Sequence, residues 1–208
     1  PSVAAWSAGG AEYFYIGSLF NRPDFSGLSY IDVTACKVVG SGTAATLSCG
    51  QPIVAAQSTQ CQNSRGTTFC SFTDKDFLAL DPVRGRLYVG YTDFRFTDQG
   101  QVQLAVCDIG TPGGSTGTLG GTAAVPVCSQ PNGSAKKLPP PYYVVAPGSG
   151  CENEGAYPAV DVATGDVYVA YELNWATNIF TAGCFNQPTQ NVLVRVPLSC
   201  LPLAAVSP

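Results

Sequence analysis

The sequence contains no histidine and no methionine. Without histidine there is no Ser-His or Cys-His catalytic pair, no His-ligated zinc site and no c-type haem attachment. Without methionine the first residue, Pro1, is not a translation start, and the expectation is that upstream residues were removed or never included. Charge is scarce too. Lys and Arg number 10 against 14 Asp and Glu, a formal charge of −4, and no basic run is longer than Lys136-Lys137, which argues against nucleic acid as a partner. No apolar stretch approaches the roughly 18 to 20 residues that span a bilayer, and nothing resembles a signal peptide. The chain reads as soluble, with no membrane partner.

What is present is turn-forming and apolar: 23 Gly and 16 Pro, with 45% hydrophobic and 12% charged residues, the composition of a turn-rich globular fold rather than a disordered tail. Nine cysteines stand at 36, 49, 61, 70, 107, 128, 151, 184 and 200, with no CxxC unit among them. That spacing disfavours metal and thioredoxin-like roles and favours a disulfide framework, hence an oxidising, extracellular or secreted setting.

The chain repeats itself. Leu78 to Tyr91 (LALDPVRGRLYVGY) recurs as Pro158 to Tyr171 (PAVDVATGDVYVAY) at an offset of 80, keeping Asp81, Gly85, Tyr88, Val89 and Tyr91 as Asp161, Gly165, Tyr168, Val169 and Tyr171. A second anchor, TAATLSCGQP from Thr43 and TAAVPVCSQP from Thr122, lies at an offset of 79. A looser copy opens the chain, with PSV at Pro1 set against PAV at Pro158, and YFYIGSLF from Tyr13 set against LYVGYTDF from Leu87. Spacing alone leaves the disulfide connectivity open; repeat symmetry favours Cys36 with Cys49, Cys107 with Cys128, Cys61 with Cys70 and Cys151 with Cys184, leaving Cys200 over.

Within each copy the pattern is that of strands. Leu87-Tyr88-Val89-Gly90-Tyr91 is β-branched and aromatic, and the preceding DPVRGR carries Pro and Gly where a hairpin turn needs them. Alternating runs follow at Leu28–Val33, Gln101–Val106 and Asn191–Val196, then shorter ones at Pro52–Ala56 and Tyr142–Ala146. Each copy is expected to be a four-stranded antiparallel meander, with no helix of useful length. The expectation is an all-β, single partial domain over 1–208, a β-propeller of three blades at about 1–57, 74–147 and 154–208, the last incomplete.

DKDFLALDPVRGRLYVGYTDF, Asp74 to Phe94, resembles the bacterial sialidase-like (BNR-repeat) propeller superfamily, in which an Asp-containing entry to the innermost strand precedes a hairpin with an aromatic-rich second strand. The resemblance implies a fold more than an activity. The family's Asp-box, Ser-x-Asp-x-Gly-x-Thr-Trp, is missing from every copy. Cys36 and Cys49, or Cys107 and Cys128, stand at that location, and a disulfide there is expected to clamp the hairpin at about 3 kcal/mol. In the same register Cys200 takes the place of Cys36 and Cys107, with its partner expected beyond residue 208. Three blades do not close a ring of 4 to 8, so the expected partners are missing blades of the same protein or a second copy.

Propeller topology would bring the entry to each innermost strand and the loop between second and third strands to one mouth. In blade two these loops hold Asp74, Lys75 and Asp76 with Asp93, Phe94 and Arg95. In blade three they hold Glu152, Asn153 and Glu154 with Glu172, Leu173, Asn174 and Trp175, and blade one offers Asn21, Arg22 and Asp24. Three readings stay open. The carboxylates could bind Ca²⁺, which takes 6 to 8 oxygen ligands; they could bind a glycan beside a stacking Trp175 or Phe94; or they cap turns and keep strand ends soluble. Asp76 and Glu154 on facing blades could form a glycosidase pair, which needs about 5 to 9 Å between carboxyls. The resemblance would imply an arginine triad and a Tyr/Glu nucleophile pair; Arg22 and Arg95 lie on plausible loops, but no local motif marks either, and no catalytic residue is assigned. Asp81 and Asp161 are expected to hold turns, and Tyr88, Tyr91, Tyr168 and Tyr171 to pack. Lys136 to Pro141 reads as a stiff connector, and Asn132-Gly133-Ser134 meets the N-glycosylation rule. The function expected is a disulfide-stabilised binding or structural module; the alternative is a fragment of a secreted sialidase-like glycosidase.

Overall fold

β-Branched and aromatic residues dominate the repeated runs, and in the computed structural model each run is a strand. The structure describes residues 1–8, 11–21, 28–97, 99–109, 126–128, 142–148, 151–176 and 188–201. The first sheet is formed by β1 (Ser2–Ala8), β2 (Ala11–Asn21), β3 (Ser29–Val39), β4 (Thr46–Cys49) and β5 (Ile53–Gln57). A small hairpin, β6 (Cys61–Ser64) and β7 (Thr67–Cys70), leads to the second sheet, β8 (Phe72–Asp81), β9 (Arg86–Arg95), β10 (Gln99–Asp108), β11 (Val127–Cys128) and β12 (Tyr142–Ala146). The third holds β13 (Glu152–Val160), β14 (Val167–Ala176) and β15 (Gln190–Val196). Two 3-10 turns, Gly42–Ala44 and Leu198–Cys200, are the only helical segments among the described residues. Every strand pair is antiparallel, and the fold is all-β.

The meander has four positions, but its fourth strand comes in two pieces. β4 pairs with Cys36–Val39 and β5 with Tyr30–Val33 on the same edge of β3, and Gly50 N bridges the break by donating to Ala35 O at 2.9 Å. β11 and β12 divide the edge of β10 in the same way. The third sheet has three strands among the described residues.

Strand register corrects the alignment of the first copy. Phe14 lies opposite Cys36, Leu87 opposite Cys107 and Val167 opposite Val196. Phe14, Leu87 and Val167 are therefore equivalent, so the first copy precedes the second by 73 residues rather than 74, and Tyr15-Ile16-Gly17 matches Tyr88-Val89-Gly90. A slip of one residue exchanges the two faces of a strand, so the difference decides which side chains are inside. The place of Cys36 and Cys107 is taken in the third copy by Val196, not Cys200. Cys200 ends a 3-10 turn beyond β15, free and exposed, so the expected clamp has no cysteine at that place in the third copy.

The sheets stack in chain order. β8 packs on β1, β2 and β3, and β13 packs on β8, β9 and β10. The first seam buries Trp6, Tyr13, Tyr15, Ile31 and Val33 against Leu87, Val89, Tyr91 and Cys107; the second buries Tyr88, Val102, Leu104 and Val106 against Val167, Val169, Tyr171 and Val196. Each fully covered Val or Leu contributes about 1.5–3 kcal/mol, so two such seams are the main source of stability. Gly90 lies where the third sheet comes closest: a Cβ there would collide with Ala156 O and sit 3.0 Å from Pro158 Cδ.

Both first hairpins turn on an aspartate, as expected. Asp81 Oδ1 accepts Val83 N and Arg84 N, each at 3.0 Å, and Asp161 Oδ1 accepts Ala163 N at 2.9 Å. The Thr164 hydroxyl, donating to Asp161 Oδ2 at 2.9 Å, leads the bonds that hold the Asp161 carboxyl below the ordinary carboxylate range. Gly85 and Gly165, at φ 62° and 83°, supply the left-handed residue that closes each turn. Arg84 joins the two turns: its guanidinium donates to Asp81 Oδ2 at 3.0 Å, Val162 O at 3.1 Å and Ala163 O at 3.3 Å.

Three disulfides link directly opposed strand residues, Cys36–Cys49, Cys61–Cys70 and Cys107–Cys128, closing 13, 9 and 21 residues. Cys151 is disulfide-bonded, and its expected partner Cys184 lies outside the described residues. Such bridges fit an extracellular protein. No helix among the described residues is long and apolar enough to cross a membrane. Lys136 to Pro141, Asn132, Arg22 and Asp24 lie outside the described residues, as does the side chain of Asn21.

Candidate functional site

The expected mouth residues are on strands, not loops: Asp74 and Asp76 on β8, Asp93 and Arg95 on β9, Glu152 and Glu154 on β13, Glu172 and Trp175 on β14. They do share one end of the stack, where β8 and β13 begin and β9 and β14 finish. Thr73 faces Asp93, Asp74 faces Thr92, and Glu154 faces Glu172. The side chain of Trp175 lies outside the described residues, so the expected stacking platform does too.

Both inner strands are irregular here. Pairing breaks between Asp74 and Phe77 in β8 and between Glu154 and Tyr157 in β13, and the residues inside the breaks, Lys75 (φ 58°) and Gly155 (φ 72°), are both left-handed. A bulge of this kind re-aims side chains. Lys75 Nζ reaches Glu154 Oε1 of the next sheet at 3.0 Å; this bond, and the carboxylate charge behind it, push the ammonium pKa up. Asp74 Oδ1 accepts the Lys75 backbone N–H at 2.7 Å. Asp76, buried, accepts Ser2 Oγ at 2.7 Å from the preceding sheet and lies over Gly17, where any Cβ would strike it.

Asp93 belongs to a different neighbourhood. Its register partner Thr73 turns toward the first sheet, while Asp74 and Thr92 are on the opposite face, so the acids of the second sheet are divided between two seams. Asp93 is fully buried. Its Oδ2 accepts Thr59 N at 3.2 Å and the Thr59 hydroxyl, while burial raises its carboxyl pKa despite these bonds, Ser71 and the nearby Arg95 cation. Asp93 thereby anchors the connector after β5. Among the described residues, the buried atoms Glu154 Oε2 and Asp93 Oδ1 have no hydrogen-bond partner.

Chemically, then, these carboxylates chiefly fasten one segment to another. Among the described residues no three of His, Cys, Asp and Glu form a group able to hold a metal ion, so the expected Ca²⁺ position has no such ligand group there. Two shallow grooves open instead on the first sheet, at its other end. One, of about 570 Å³, is lined by Glu12, Lys37, Val38 and the Gly40–Gly42 turn; the other, of about 250 Å³, by Trp6, Glu12, Tyr13 and Phe14. Lys37 Nζ stands 6.0 Å from the centre of the Tyr13 ring, and Trp6 is largely buried, so its ring is core rather than platform. Nothing in the local sequence marks these residues, because only the β1–β2–β3 pairing brings them together. Against known proteins, no family model, no curated protein and no solved structure matches this chain.

Proposed function

We propose that the chain is an extracellular, disulfide-braced partial β-propeller of the sialidase-like type, with a structural or assembly role. The observation that carries this reading is the stacking of three like antiparallel sheets in chain order, each inner strand laid on the sheet before it. Radial repetition of such sheets is how propellers protect their strand edges. The role follows from the acids: Asp76, Asp93 and Glu154 are engaged by Ser2, Thr59 and Lys75, which suits fastening better than binding Ca²⁺ or glycan. Incubation with a fluorogenic sialoside, and a glycan array run with and without Ca²⁺, test this. The expected result is no turnover and no calcium-dependent binding. Turnover that Glu154→Gln or Asp76→Asn abolishes would replace the structural role with the glycosidase fragment.

A further inference from the structure

Each sheet has a front, toward the preceding sheet, and a rear, toward the next. Both seams are front on rear and use the same places. Val33 and Leu104, three residues before Cys36 and Cys107, are fully buried on the first two rears, whereas Leu193, three before the equivalent Val196, is 66% exposed. Tyr15 and Tyr88 are likewise fully buried, and their counterpart Tyr168 is half-buried. On the fronts, Leu87, Val89, Val167 and Val169 are fully buried, while Phe14 and Ile16 are half-buried and Val3, paired with Ile16, is 61% exposed.

Among the described residues, the stack thus begins with an uncovered front and ends with an uncovered rear. Single exposed apolar side chains are ordinary, but here whole faces match the surfaces that cover their counterparts inside the same chain. We infer that the front of the first sheet docks on the rear of the third sheet of a second copy, continuing the stack head to tail. This rests on the assembly role proposed above and names its partner. A head-to-tail contact either closes a ring or goes on adding copies.

Sedimentation equilibrium of the 208-residue chain at high micromolar concentration tests the contact, with Val3→Glu on the front and Leu193→Glu on the rear. Both positions are exposed, so the fold tolerates either change, and far-ultraviolet circular dichroism checks it. The unaltered chain should exceed 21.6 kDa, and each variant should weaken association by about tenfold or more. An equimolar mixture should regain a two-chain particle, because one intact front still meets one intact rear. A monomeric unaltered chain overturns the docking. So does loss of association in Val3→Glu with none in Leu193→Glu, the mark of front-to-front pairing. Either result leaves the sialoside and glycan tests unaffected, so the docking can fail while the structural role stands.

Discussion

The two seams solve one packing problem with different chemistry. The first is aromatic at its centre, with Trp6, Tyr13, Tyr15 and Tyr91, and closes at one end with buried hydroxyls, beside the Asp76 carboxylate on Ser2 and the Asp93 carboxylate on Thr59. Ser29 Oγ and Thr73 Oγ1 lie 2.7 Å apart, Thr73 N donates to Ser29 Oγ at 3.0 Å, and Ser29 N to Ser58 Oγ at 2.9 Å. The second is richer in aliphatic side chains, with Val102, Leu104, Val106, Val167, Val169 and Val196 around Tyr88 and Tyr171, and is fastened at its rims by charge, through Arg84 at the turns and Lys75–Glu154 at the other end. Sheets of one topology thus need not share their fastenings. Buried hydroxyl pairs are insensitive to salt, whereas rim charges are screened by it.

The comparison breaks most sharply at Gly90. Gly90→Val forces a side chain into Ala156 O and Pro158, and overpacking of this kind costs about 3 kcal/mol. That corresponds to a melting temperature lower by roughly 6–12 °C. Ala170 holds the same place in the third sheet, half-buried on its uncovered rear, so Ala170→Val at low protein concentration should change stability by under about 0.5 kcal/mol. Thermal scans of both variants, side by side, check the difference. Equal losses would mean that Gly90 does not mark a close approach.

Next in size is Arg84→Ala. It removes two hydrogen bonds across the second seam, to Val162 O and Ala163 O, and leaves Asp81, fully buried, without the guanidinium of its own turn, for a loss of about 2 kcal/mol in urea titration. The smallest effect sharpens the first seam. Burial raises the Asp93 carboxyl pKa, so the folded chain keeps a proton that the unfolded chain has already released. The stabilisation this gives is fully present below the ordinary carboxylate value of about 3.9 and is lost as pH rises through the raised folded value. Asp93→Asn should therefore flatten the fall in urea midpoint between pH 4 and pH 7. An unchanged slope would assign that fall to other groups.

Much of the architecture was legible in the sequence because it is local. The Tyr-Val-Gly-Tyr run and the turn aspartates Asp81 and Asp161 follow from residue type and spacing, while the three opposed cysteine pairs are favoured by repeat symmetry, spacing alone leaving their connectivity open. What escaped depends on long-range pairing. Aligning Tyr13 rather than Phe14 with Leu87 is a small error in spacing, yet it exchanges the two faces of the strand, and only the Cys36 and Cys107 registers correct it. The hairpin β6–β7 carried a signal, since Arg65-Gly66 between opposed cysteines gives two positive φ values, 50° and 80°, as a tight hairpin requires. The candidate site was legible as a shared end of the stack but not in its division between seams. Asp74 and Asp93 are nearly opposite on paired strands, and a one-position difference in pleat sends them to different sides.

The split fourth strand has a bearing on solubility. β4 is four residues long and β5 five, and Gly50, Gln51 and the N–H-lacking Pro52 separate them. A foreign strand approaching this margin would meet no unbroken ladder of donors and acceptors to zip against. Amyloid-like lateral growth is thereby discouraged at the outer border of the first sheet, while its front stays available for contact.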